Sequence, residues 1–302
     1  LGNMQLIGHQ IWQQFFTDTV NAGTMHHAYL VTGAAHTGKT TLVTIAAAQL
    51  LKIAPEKILA HPDLQWVERL VDEKTGKTKK DISIEQARIA SQFTHESAFY
   101  RDGWRVVIIR EADRLSRGAA NALLKTLEEP GRNTILFLMA DNEAAIMPTI
   151  RSRCQLIRLR PVADADMSTA LPAATPAMIA AAAGRPGLLV QWLEDAETWQ
   201  VADTTMRQWL VERQQPLAKQ WAALETWCEA APEDSRAYYQ SWLDTGWQAL
   251  HLALSGQAPM PTELIQRLAA ALRTAERALR RNVTPRLALE QVCLAATGHY
   301  RV

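Results

Sequence analysis

Gly33-Ala34-Ala35-His36-Thr37-Gly38-Lys39-Thr40 is a complete G-x-x-x-x-G-K-T phosphate loop. It lies between a β-rich apolar run at residues 28–32 and a stretch of helical spacing at residues 40–51, so a strand enters the loop and a helix leaves it. In that setting the loop's backbone N–H groups and the positive end of the helix converge on a bound phosphate. Lys39 is expected to reach the β- and γ-phosphates and the Thr40 hydroxyl a Mg²⁺ ion, with Gly33, Gly38 and Thr41 completing the nucleotide-binding set.

Outward from the loop, apolar β-rich runs recur at residues 63–67, 105–109, 134–139 and 155–159, with helical spacing at 83–94 and 119–127 between them. Strands alternating with helices predict an α/β domain with a parallel sheet. Pro130 and Gly131 stop the last of these helices after Glu129, and Ser116 is its candidate N-cap. Residues 74–80 are polar and basic and contain Gly76, which reads as a solvated turn, with DNA contact as the alternative. Beyond Pro161 the strands cease, and Ala-, Leu-, Trp- and Gln-rich helical patterns run to the end. The chain therefore divides into a nucleotide-binding domain over 1–161, a small helical lid over 162–204 and a larger helical domain over 205–302. Trp192, Trp199, Trp209, Trp221, Trp242 and Trp247 fall in the helical half, where such residues pack a core or a subunit interface.

Composition narrows the function classes. With 48% hydrophobic and 21% charged residues, the chain has the balance of a globular protein. Its formal charge of +1 lacks the basic excess of a dedicated nucleic-acid binder, so any DNA contact is local or shared with partner chains. No apolar run approaches the roughly 20 residues that span a bilayer, and the start lacks a secretory pattern, so no membrane contact and a cytoplasmic location are expected. Met4, behind Leu1, Gly2 and Asn3, is expected to be the native start. Cys154, Cys228 and Cys293 are too far apart for a paired Cys-x-x-Cys site, so no zinc is expected.

A hydrolysing phosphate-loop protein also needs an acidic residue at the end of a neighbouring strand to hold its metal. The run Val106-Val107-Ile108-Ile109 is followed by Arg110-Glu111-Ala112-Asp113, so arginine stands at that position. A guanidinium stays charged and repels Mg²⁺. Glu111 remains where a water-polarising carboxylate belongs. The pattern predicts ATP or ADP binding without efficient hydrolysis and gives Mg²⁺ little to hold it. The competing reading pairs Arg110 itself with phosphate.

Downstream, Ser116-Arg117-Gly118-Ala119-Ala120-Asn121-Ala122-Leu123-Leu124-Lys125-Thr126-Leu127-Glu128-Glu129-Pro130 and Ile150-Arg151-Ser152-Arg153-Cys154 closely resemble the clamp-loader branch of AAA+ proteins. Leu6-Ile7-Gly8-His9, His27-Ala28-Tyr29-Leu30, His61-Pro62-Asp63-Leu64, Gly184-Arg185-Pro186-Gly187 and Asn282-Val283-Thr284-Pro285-Arg286-Leu287-Ala288-Leu289-Glu290 are similar to further stretches of that family. The resemblance implies an AAA+ phosphate-loop domain, a helical lid and an all-α C-terminal collar through which subunits of a DNA polymerase III clamp loader join in a ring. It assigns Arg153 as an arginine finger reaching a neighbour's ATP, and places a sensor at Asp141 or Asn142. Gly187 stands where ATPase members carry a lid arginine, and the four-cysteine zinc module of some members is missing. Arg110 and Gly187 both lean toward the delta-prime kind of subunit, partnered by gamma/tau and delta subunits, the sliding clamp and primed DNA. The alternatives are an active gamma/tau-type ATPase and, more distantly, an AAA+ DNA-repair or helicase-loading factor.

Overall fold

The computed structural model describes residues 5–100, 103–231, 236–281 and 283–298, so the expectations on Leu1 to Met4 and on Asn282 lie outside the described residues. The first half contains, in order, α1 (Gln10–Ala22), β1 (Ala28–Thr32), α2 (Lys39–Leu51), β2 (Leu64–Val67), α3 (Ile84–His95), β3 (Arg105–Ile109), α4 (Arg117–Glu128), β4 (Thr134–Ala140), α5 (Pro148–Arg151) and β5 (Gln155–Arg158). The five strands form one parallel sheet in the order β2-β3-β4-β1-β5.

Every residue of β1, β3 and β4 is buried. Helices cover both faces of the sheet, which is why these strands read as continuous apolar runs rather than as an alternation. Successive side chains still divide between the two faces. Leu30, Val107, Ile109, Leu136 and Leu138 pack with Ala87 and Ala90 of α3 and Leu123 and Leu127 of α4. Tyr29, Val31, Val106, Ile108, Ile135 and Phe137 pack with Phe16 of α1 and Leu42, Val43 and Ala46 of α2. Ser83 starts α3 with a capping box, its hydroxyl accepting from the Gln86 N–H while the Gln86 side chain accepts from the Ser83 N–H. Ser116 caps α4 by accepting from the Ala119 N–H at 3.1 Å.

The fold class expected from the sequence is therefore present: a phosphate-loop α/β domain with a parallel sheet, followed by helices. These are α6 (Asp164–Ala170), α7 (Pro176–Ala182), α8 (Pro186–Glu194), α9 (Ala196–Arg213), α10 (Leu217–Glu229), α11 (Arg236–Leu254), α12 (Thr262–Arg280) and α13 (Pro285–Ala296). The chain forms two compact units, one of residues 1–166 and 185–187, the other of residues 167–184 and 188–302. In the second unit α12 buries Leu264, Ile265, Leu268, Ala271, Leu272, Ala275 and Leu279, the three-and-four spacing of one helix face. Trp192, Trp209 and Trp242 are buried, whereas Trp221 is 44% exposed.

Candidate nucleotide-binding site

In a parallel sheet the loops after the strands gather at the C-terminal edge. Register puts Thr32 of β1 beside Ala140 of β4, and Leu138 of β4 beside Ile109 of β3. The phosphate loop, Asp141 and Arg110 thus leave the sheet on one edge. Gly33 is forced by close approach, since a Cβ there would stand 2.6 Å from the Leu159 carbonyl oxygen. Gly38 has a φ of 99° and brings no side chain to cap α2, so the first amides of that helix are left for an anion.

The loop is braced from inside and outside. The buried Thr37 hydroxyl donates to the Ala34 carbonyl at 2.8 Å. His9 Nε2 lies 3.1 Å from the Thr37 carbonyl, which only accepts, so this nitrogen carries the proton. Burial lowers the pKa of His9 and favours that neutral form. The Gly187 N–H donates to the His36 carbonyl at 2.9 Å, and a Cβ on Gly187 would come within 3.0 Å of that oxygen. The residue that stands where a lid arginine was sought is thus a backbone contact to the loop.

A cavity of about 320 Å³ opens here, lined by Ala35, His36, Gly38, Lys39, Thr40, Thr41, Arg110, Glu111, Met139, Asp141 and Gly187. Its size suits a small ligand. Of the nucleotide-binding set read from the sequence, Gly38, Lys39, Thr40 and Thr41 line it, and Gly33 contributes by accepting from Lys39 Nζ at 2.7 Å. Lys39 also donates to the Ala34 carbonyl at 2.8 Å and pairs with Asp141 Oδ1 at 2.7 Å. Of the two sensor candidates, Asp141 lines the cavity, while Asn142 accepts from the Ala144 N–H at 3.1 Å and caps a short 3₁₀ turn.

The ends of β2 and β3 carry a feature the sequence reading missed. Val67 sits opposite Ile109, so the next residues, Glu68-Arg69 and Arg110-Glu111, face each other with exchanged charges. Arg110 Nη1 donates to Glu68 Oε2 at 2.9 Å, and its guanidinium lies 5.9 Å from the Trp66 ring centroid. Arg69 grips Glu111 with two parallel bonds, Nε to Oε2 at 2.9 Å and Nη2 to Oε1 at 2.7 Å. Asp113 is also close by, and burial, followed by the charge of Asp141, pushes its carboxyl above the usual range.

The lining suits phosphate better than a divalent cation. Thr40 can offer a hydroxyl, but Arg110 brings a positive charge to the strand end, and Asp141 is engaged by Lys39. Among the described residues no group of three or more His, Cys, Asp or Glu side chains is placed to hold a metal. No described helix is long and apolar enough to cross a membrane.

Arg153 stands outside the cavity lining, just after α5. Its side chain is 34% exposed, donates to the Thr149 carbonyl at 2.9 Å and pairs with Glu128 of α4. Its neighbour Cys154 packs against the core, and burial pushes its thiol up to about 12, which makes it an inert packing group.

A phosphate loop at the C-terminal edge of a five-stranded parallel sheet, followed by a helical unit, defines the AAA+ class of phosphate-loop proteins. Residues 8–163 match the family model described as "DNA polymerase III, delta subunit", and the chain belongs to that family. The chain is 33% identical over 166 residues to the DNA polymerase III subunit delta' of Haemophilus influenzae, covering 51% of this chain and 47% of that protein. It is 35% identical over 158 residues to the subunit of the same name in Pseudomonas aeruginosa, covering 47% and 46%. The matched region thus spans about half the length of these curated relatives. Among solved structures, a DNA polymerase III gamma subunit-related protein from Thermotoga maritima superposes with a TM-score of 0.50 at 16% identity, covering 97% of this chain and 99% of that one, a likeness of fold.

Proposed function

We propose that this chain is a delta-prime-type subunit of a bacterial DNA polymerase III clamp loader, working in the cytoplasm. In this reading it binds ATP or ADP weakly, hydrolyses ATP slowly or not at all, and contributes Arg153 as an arginine finger to the ATP of an adjacent subunit. Residues 162–204 serve as a lid. Residues 205–302 form the collar that joins it to gamma/tau and delta subunits, and the assembly loads the sliding clamp onto primed DNA. Relatives named as delta' subunits support this choice.

The observation that carries the reading is the exchanged charge ladder at the ends of β2 and β3. A guanidinium stands in the metal-holding position, and the remaining carboxylate is held at both oxygens by Arg69. Positive charge there opposes the metal on which phosphoryl transfer depends. Arg153, in contrast, keeps a planar fork near the surface, and an arginine finger supplies roughly 10³- to 10⁵-fold in rate in comparable systems.

The test is Mg²⁺-dependent ATP turnover by the isolated chain, beside turnover by a clamp loader reconstituted with wild-type or Arg153→Ala protein. Little turnover alone, with a loss of at least about 10²-fold at one site of the Arg153→Ala complex, is the expected result. The intact phosphate loop favours a gamma/tau-type ATPase as the second reading. Brisk turnover by the isolated chain, abolished in Glu111→Gln, would establish that reading instead.

A further inference from the structure

We propose that Asp141 is an internal competitor of the distal phosphate and turns the cavity into one that prefers a nucleoside diphosphate over a triphosphate. The proposal rests on the reading of the cavity as a nucleotide site. An ammonium group has three donors, and those of Lys39 are all engaged, by the Gly33 carbonyl at 2.7 Å, the Ala34 carbonyl at 2.8 Å and Asp141 Oδ1 at 2.7 Å. Two of these partners belong to the loop itself. The third is a carboxylate, the one group of the three that a phosphate oxygen replaces with like charge.

A nucleotide must therefore take Lys39 away from Asp141, and the displaced carboxylate stays close. Asp141 directly follows Ala140, the last residue of β4, which is held in the sheet opposite Thr32 of β1, so it is the side chain that swings. The other charges of the lining are already matched, Arg110 with Glu68 and Glu111 with Arg69. Without a metal between them, the carboxylate and the terminal phosphoryl group repel each other. The repulsion falls mainly on a triphosphate, because the lysine of such a loop serves the β- and γ-phosphates while the loop amides hold the inner ones.

The experiment is a titration of the full chain with fluorescent ADP and fluorescent ATP, without divalent metal. It compares wild type, Asp141→Asn, Asp141→Ser and, as a loss control, Lys39→Ala, with thermal melts to verify folding. Wild type is expected to bind ADP more tightly than ATP. Both Asp141 variants are expected to tighten ATP by about fivefold and ADP by less than about twofold, an advantage that fades as salt screens the repulsion. Lys39→Ala loses both ligands. An unchanged ATP-to-ADP ratio in folded Asp141 variants, or weaker ATP binding, overturns the proposal while leaving the nucleotide site standing. Absence of binding by wild type and both Asp141 variants at millimolar ligand overturns the nucleotide reading itself, and this proposal with it.

Discussion

At the end of β3 two changes act together on one chemistry. Arg110 puts a positive charge where a metal-holding carboxylate was expected, and Arg69 occupies both oxygens of Glu111. The Arg69–Glu111 pair is partly exposed, at 26% and 39%, so it adds about 1 kcal/mol or less to stability and matters more for what it prevents. Arg69→Ala alone is expected to leave ATP turnover at background, because Arg110 still repels the cation. Arg69→Ala with Arg110→Asp frees Glu111 and rebuilds the metal position, and phosphate release should then become measurable and Mg²⁺-dependent. Turnover in the single variant equal to that of the double would mean that Arg110 is no obstacle. The arginine at 110 was legible in the sequence as a break in the expected pattern. Its partner was not, because pairing Glu68 with Arg110 requires knowing that β2 lies beside β3 with Val67 opposite Ile109. The signal was nonetheless present, Glu-Arg after one strand and Arg-Glu after the other.

Elements with both faces buried, or with sharp stops, were the readable ones. β1 and β3 have the predicted bounds, and β4 runs one residue further than expected, to Ala140. The helix Gln10–Ala22 was not read from the sequence. It starts after His9, a left-handed residue with φ 59° and no side-chain cap, so its N-terminus carries none of the usual starting residues. The Pro130-Gly131 stop, in contrast, was read correctly but for only part of its reason. A Cβ on Gly131 would stand 2.0 Å from the Thr94 carbonyl oxygen, which also accepts from the Thr134 hydroxyl at 3.1 Å. Gly131→Ala therefore forces the end of α3 away from the entry of β4, at an expected cost of about 2–4 kcal/mol in chemical denaturation. Gly256→Ala is the comparison, since its φ is 75° but nothing lies within 4 Å of the added atom. That variant should lose only about 1 kcal/mol, the strain of a left-handed alanine. Equal losses at both positions would refute close approach as the reason for Gly131.

Across the whole molecule, the second unit was the least legible, because helical spacing says which residues face inward but not which helices meet. Arg213 is the clearest case. An arginine at the end of a long helix reads as a solvated cation, yet Arg213 is 1% exposed. Its guanidinium lies 5.2 Å from the Trp209 ring and 5.1 Å from the Trp242 ring, and Nη2 reaches Glu212 at 3.2 Å. Its Nε and Nη1 are buried without a protein partner, and burial lowers its pKa. Cation–π contact with two indoles offsets part of the desolvation cost, but the N–H groups of Nε and Nη1 are left unmet. Replacing a buried ion by an apolar side chain of similar volume is often neutral or stabilising. Arg213→Met is therefore expected to melt no lower than wild type, and Arg213→Ala to lose about 2–4 kcal/mol because the space between the rings is left unfilled. The two variants separate charge from volume: if Arg213→Met falls as far as Arg213→Ala, the guanidinium itself holds Trp209 and Trp242 together, and the cation–π contacts outweigh the cost of burying the charge.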